Sequence, residues 1–147
     1  MNQKTTNPPT NFIRLLLKCG TFLQREGNRM ARDYGIKQQQ FVVLNEIVIN
    51  GPVNQKKIIG ELLFEKSNVS KIIKVLLKKE MIKVEQSKTD SRVTLLTCTS
   101  QGYKVWQNCI NDMDKWSKSF TSDLSKEEIT HSIQILEKLL TMTNVNF

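Results

Sequence analysis

The stretch Lys66-Ser67-Asn68-Val69-Ser70-Lys71-Ile72-Ile73-Lys74-Val75-Leu76-Leu77-Lys78-Lys79, followed by Glu80-Met81 and then Ile82-Lys83-Val84-Glu85-Gln86, holds the change of period that decides the fold. Val69, Ile72, Ile73, Leu76 and Leu77 recur at helical spacing, which predicts an amphipathic helix from about Ser67 to Lys79. Its other faces carry Ser67, Asn68, Ser70, Lys71, Lys74 and Lys78, all short polar or cationic. Past Met81 the period falls to two: Ile82, Val84 and Gln86 alternate with Lys83 and Glu85. The polar turn Ser87-Lys88-Thr89-Asp90-Ser91 follows, and Arg92-Val93-Thr94-Leu95-Leu96-Thr97 is rich in β-branched residues. A helix followed by a two-stranded hairpin is the expected structure.

Upstream, Asn54 suits the N-cap of a short helix with Ile58, Ile59, Leu62 and Leu63 facing inward, and Phe64-Glu65-Lys66 is the turn into the helix above. Before it, Lys37 to Asn50 forms a helix with Phe41, Leu44, Ile47 and Val48 on its buried stripe, closed by Gly51-Pro52. A long first helix is expected to start near Asn11 or Phe12, since Pro8 and Pro9 disfavour extension backwards, and to stop around Gly35. Downstream, Thr99 is the expected N-cap of a long helix with the stripe Trp106, Ile110, Met113 and Phe120, ending before Ser125. Ser125-Lys126-Glu127-Glu128 is a capping box opening the last helix, lined by Ile129, Ile133, Leu136 and Leu140.

Length and composition bound the function. The chain has 147 residues, enough for one domain, and its 39% hydrophobic content is sufficient for a core. No run of about 18 apolar residues occurs, so a membrane span is not expected and a cytoplasmic setting is. Cys19, Cys98 and Cys109 are far apart and fit neither a disulfide framework nor a metal pair, and His131 is the single histidine; no metal and no cofactor is expected. Nothing places an activated nucleophile beside a base or builds a phosphate-cradling glycine loop, so an enzyme is not expected either. The net charge of +8 is concentrated: residues 66 to 92 hold 8 basic and 3 acidic side chains, whereas residues 93 to 147 hold 5 and 6. A local excess of this kind suggests a face that meets a polyanion.

Helix, turn, second helix with small polar and basic side chains, then a basic-tipped hairpin: this is the layout of a winged helix-turn-helix, mainly α with a small β-hairpin wing. Ser67, Asn68, Ser70 and Lys71 are short enough to let a backbone approach base edges in a major groove about 12 Å wide. Lys74 and Lys78, one and two turns on, suit phosphates, which give affinity without sequence information. Lys88 and Arg92, at the hairpin tip, suit an adjacent minor groove. Double-stranded DNA is the expected partner; a winged helix docking on another protein is the contrasting reading.

At this point the sequence resembles the MarR family of bacterial transcription regulators. The likeness is carried by Gln40-Phe41 with Leu44, Gly51-Pro52, Lys66-Ser67-Asn68-Val69-Ser70-Lys71, Asp90-Ser91-Arg92 and Thr99-Ser100-Gln101-Gly102, in that order and spacing. The resemblance implies a homodimer on palindromic DNA, a repressor more often than an activator, altered by a small apolar or aromatic effector or by thiol oxidation. It maps Ser67, Asn68, Ser70, Lys71 and Lys74 to the recognition helix, Asp90 to the wing acid that braces an arginine, and Arg92 to that arginine. Residues 36–98 become a DNA-binding lobe, and 11–35 and 99–147 dimerisation helices, within a single domain of 1–147. Two positions depart from the pattern. Glu80 stands where a glycine is usual, so either it bears left-handed strain or the turn differs; Cys98 replaces a leucine. Phe12, Met30 and Trp106 are candidate effector contacts, and Cys19, Cys98 and Cys109 the candidate redox residues, with plain packing as the competing role for each.

Overall fold

A computed structural model describes residues 7–143, so the outermost ends of the expected 1–147 and 99–147 spans lie outside the described residues. The elements are α1 (Pro8–Arg32), α2 (Gln38–Asn50), α3 (Gln55–Leu62), α4 (Lys66–Lys78), β1 (Ile82–Gln86), β2 (Thr94–Cys98), α5 (Ser100–Phe120) and α6 (Lys126–Thr141). The result is a mainly helical winged helix with one antiparallel hairpin.

Helix α1 starts earlier than expected. Pro8 and Pro9 occupy its first two positions, where a missing N–H costs nothing because those amides have no partner inside the helix, and Asn7 Oδ1 accepts the Thr10 N–H at 3.0 Å. At the other end Gly35 adopts φ 75°. The Ile36 N–H reaches Ala31 O at 3.3 Å and the Gly35 N–H reaches Arg32 O at 3.0 Å, a Schellman closure that buries Ile36 against the core.

Helix α2 is the centre of the molecule: α1, α3, α4, α5 and β2 all pack on it. Its Val43, Leu44 and Ile47 are fully buried, and Ile58, Val69, Ile72, Ile73 and Leu76 close over them from α3 and α4. The α4 stripe therefore packs as its period predicts. Leu63 does not: it is the left-handed C-cap of α3, with φ 55°, and points partly to solvent.

Helix α4 ends in a second Schellman closure, with Met81 N–H to Leu76 O and Glu80 N–H to Leu77 O, each 3.0 Å. Glu80 holds φ 58°, so of the two alternatives for this position it is the strained one that is realised. Strands β1 and β2 pair from Ile82↔Cys98 to Gln86↔Thr94. Strand β2 begins later than the expected Arg92, because Val93 N–H closes on Asp90 O and Ser87 N–H on Val93 O, drawing Arg92 and Val93 into the turn. Ile82 alone of β1 is buried; Val84, on the same side of the strand, is 50% exposed because the hairpin leaves the body there. A bridge between Val53 and Leu96 roots it.

Thr99 and Ser125 cap α5 and α6 as expected, the latter through a full capping box. Trp106, Ile110 and Met113 pack half-buried on the core, whereas Phe120 instead stacks on Trp116 and Phe22, with centroids 4.7 and 5.5 Å away, tying α5 to α1. The apolar side of α6, the helix that the family resemblance assigns to dimerisation, buries none of its residues within the chain: Ile133, Leu136 and Leu140 all face outward. Among the described residues no helix is long and apolar enough to cross a membrane.

Candidate nucleic-acid interface

The α4 face follows from helical geometry. Val69 is fully buried, and at about 100° per residue Ser67, Lys71, Lys74 and Lys78 fall within roughly 40° of the direction opposite it. All four are exposed, forming one outward stripe about three turns long. Among the described residues none of the three lysines has a carboxylate within 4.0 Å. A row of unneutralised ammonium groups around small side chains at the helix start is chemically suited to a phosphate-lined groove.

Asn68 and Ser70 are placed differently. They lie about 100° to either side of Val69, on the flanks of the helix, and both are half-buried. Asn68 Nδ2 donates to Gln39 Oε1 at 3.1 Å, and Ser70 Oγ accepts from Gln55 Nε2 at 2.6 Å while donating to Lys66 O at 3.0 Å. The two glutamines stand at the starts of α2 and α3. Neither is among the residues that sequence reasoning singled out; the only available signal is that the wheel puts Asn68 and Ser70 beside the outward stripe and not on it.

At the hairpin tip Asp90 Oδ1 accepts both the backbone N–H and the Nε–H of Arg92, each at 3.1 Å, and Oδ2 accepts from Nη2 at 3.3 Å. These bonds hold the Asp90 carboxyl below its ordinary value, the side-chain contact contributing most. The guanidinium itself stays open to solvent, its side chain 89% exposed. Ser87 Oγ accepts the Asp90 N–H at 3.3 Å and so shapes the turn from its other side, with Lys88 exposed at the tip.

The other candidates are scattered. Phe12 and Met30 sit 18 residues apart on α1, about 27 Å along its axis, and Phe12 is exposed. Met30 lines a narrow apolar space of about 10 Å³ with Ala31, Phe41, Cys109 and Met113. Trp106 lies outside that space, donating its indole N–H to Asn45 Oδ1 at 2.9 Å. Cys19 is exposed, Cys98 half-buried and Cys109 buried. Burial pushes the Cys98 thiol up, and burial with the nearby Asp112 charge pushes Cys109 up to about 11. Both are then thiols at neutral pH, the less nucleophilic form. Among the described residues no three His, Cys, Asp or Glu side chains are grouped to hold a metal ion.

A sequence model of the MarR family matches residues 34–93, which span α2 to the wing tip. The HTH-type transcriptional regulator MgrA of Staphylococcus aureus is 28% identical over 113 residues, covering 77% of this chain and 76% of its own. Among solved structures, a MarR mutant from E. coli complexed with operator DNA superposes with a TM-score of 0.82 at 19% identity, over 93% of this chain and 99% of that one. The Staphylococcus aureus MarR in complex with salicylate and kanamycin gives 0.81 at 18%, over 93% and 94%. At such identities the structural likeness shows the fold; MgrA, the relative found by sequence, is an HTH-type transcriptional regulator.

Proposed function

We propose that this chain, a member of the MarR family of transcription regulators, is a sequence-specific DNA-binding repressor that acts as a homodimer on a pseudo-palindromic operator. The observation that carries this reading is the exposed stripe of Ser67, Lys71, Lys74 and Lys78, whose lysines have no carboxylate within 4.0 Å among the described residues, together with the Asp90-braced Arg92 of the wing. Placed in a major groove, α4 sets Ser67 and Lys71 toward base edges and Lys74 and Lys78 toward phosphates, while Arg92 and Lys88 reach the neighbouring minor groove. A neighbour of the same fold solved with operator DNA supports the mode of docking.

The division into a lobe of 36–98 and pairing helices at 11–35 and 99–147 is supported by what those helices leave uncovered. Leu17 is 68% exposed and Leu140 59%, and α6 has no buried residue. Pairing two copies through α1, α5 and α6 covers these side chains and presents two α4 helices to half-sites about 34 Å apart. Phe12 belongs with that pairing face. A small apolar or aromatic effector acting near Met30 and Trp106, where α5 meets the lobe, changes the spacing of the two α4 helices; a fold neighbour bound to salicylate supports this class of ligand. Such an effector regulates only by favouring one spacing over another.

Selection from a random-sequence duplex library at about 150 mM salt tests the reading, since nonspecific charge binding is weakened there. The expected result is an enriched palindrome. A folded, dimeric protein that enriches no sequence at that salt overturns it.

A further inference from the structure

Two of the residues that the sequence assigns to DNA contact, Asn68 and Ser70, are already engaged within the protein. Ser70 has one hydroxyl proton, and it goes to Lys66 O; its oxygen accepts from Gln55 Nε2 at 2.6 Å. Ser70 therefore has no proton left for a base acceptor. Asn68 spends an amide proton on Gln39 Oε1 at 3.1 Å. Between them in sequence, Val69 is buried in the core. Three consecutive side chains thus fix α4 in three directions: Val69 inward, Asn68 toward α2 and Ser70 toward α3.

The two glutamines are themselves anchored. Gln39 stands in the first turn of α2, where the Gln38 N–H donates to Asn28 Oδ1 of α1 at 2.9 Å and the Lys37 N–H to Gln40 Oε1 at 3.0 Å. Gln55 is the first residue of α3, directly after the Asn54 cap, whose Oδ1 accepts the Lys57 N–H at 2.8 Å. The buried stripe of Val69, Ile72, Ile73 and Leu76 turns α4 toward the core, but apolar contact has no direction of its own and restrains the fine rotation of the helix only weakly. Hydrogen bonds on opposite flanks do have direction, and supply that restraint.

We propose that Gln39 and Gln55 are positioning residues that fix the rotation of α4 about its own axis, acting through Asn68 and Ser70, and thereby select which edge of the Ser67 and Lys71 face meets the bases. The selection of bases rests on the DNA-binding role proposed above; the restraint on α4 does not.

The test uses Gln39→Met and Gln55→Met, which keep side-chain length and remove the amide. In amide-resolved NMR spectra of the full chain without DNA, both variants are expected to shift the resonances of residues 66–74 and leave those of α5 in place. Unmoved α4 resonances overturn the proposal. In duplex selection both variants are expected to change preference about fivefold at the base pairs under α4, the effect of roughly one hydrogen bond. Gln39→Glu keeps the acceptor for Asn68, so it retains the original sequence at reduced affinity, and Gln55→Met adds nothing further in a Ser70→Ala background. Variants that bind every duplex more weakly by one common factor overturn the specificity role. A wild-type protein that enriches no sequence removes the DNA reading, while the NMR result still decides the restraint.

Discussion

The indole N–H of Trp106 in α5 donates to Asn45 Oδ1 in α2 across 61 positions of sequence, at 2.9 Å. With the Tyr34 hydroxyl, which donates to the Asp112 carboxylate, it forms a pair of polar ties that join α5 to α2 and to the turn between α1 and α2. Replacing Trp106 with Phe keeps an aromatic ring and leaves the half-buried Asn45 carbonyl without its donor. The expected loss is about 1–3 kcal/mol in urea unfolding. An unchanged denaturation midpoint means that water satisfies Asn45 and the tie contributes nothing.

Glu80 offers a gain. It holds φ 58° at the close of α4, a conformation that costs a residue with a Cβ about 1–2 kcal/mol. Glu80→Gly is expected to stabilise the protein by about 1 kcal/mol, offset in part by the greater freedom of glycine in the unfolded chain. A lower melting temperature for the glycine variant contradicts the assignment of strain.

Gly102 is the opposite case. A Cβ there runs into the Met81 carbonyl, oxygen and carbon alike, both backbone atoms that cannot swing away. Gly102→Ala must push the start of α5 off the root of the wing, at an expected cost of about 2 kcal/mol or more, read by thermal melting. Near-native stability requires that α5 slide without loss.

The Asp90–Arg92 pairing gives a pH dependence whose sign follows from the direction of the shift. The folded carboxyl is held below 3.8, so its contribution is present above that value and fades as the pH falls through the folded pKa. Carboxyl-carbon NMR is expected to show Asp90 titrating below 3.8 in the wild type and moving upward in Arg92→Ala. No movement in the variant assigns the shift to something other than the arginine.

For the thiols, burial sets the order of reaction. Cys109, pushed up to about 11, is expected to resist iodoacetamide at pH 7.5 until the protein unfolds, and Cys98 to react slowly. Mass spectrometry of timed samples ranks the three sites. Rapid sulfenate at Cys98 or Cys109 with dilute peroxide reinstates thiol oxidation as the signal.

Much of this was legible locally. The α4 stripe is legible because its residues recur at one period over three turns, and the Ser125 and Thr99 caps because capping is a matter of neighbours. The start of α1 lies earlier than the sequence suggests, since the rule against proline inside a helix does not govern its first positions, where Asn7 and Pro8 cooperate. Val84 keeps a strand's alternation without burial, as alternation does not reveal where the body of the protein ends. Asn68 and Ser70 were recognisable as polar residues of the right helix. Their partners Gln39 and Gln55 were not, because a bond between residues 29 or 15 positions apart exists only after α2, α3 and α4 have met.

The wing has a consequence in time. It is rooted by the Val53–Leu96 bridge and by buried Ile82, and past that root the two strands have only each other. A lone hairpin is barely stable in water. In deuterium oxide, the amides of Lys83 to Gln86 that serve the ladder will therefore trade their protons through openings that leave the body closed, while those of α2 will wait for the whole molecule to come apart. The arm and the trunk of this protein keep different clocks.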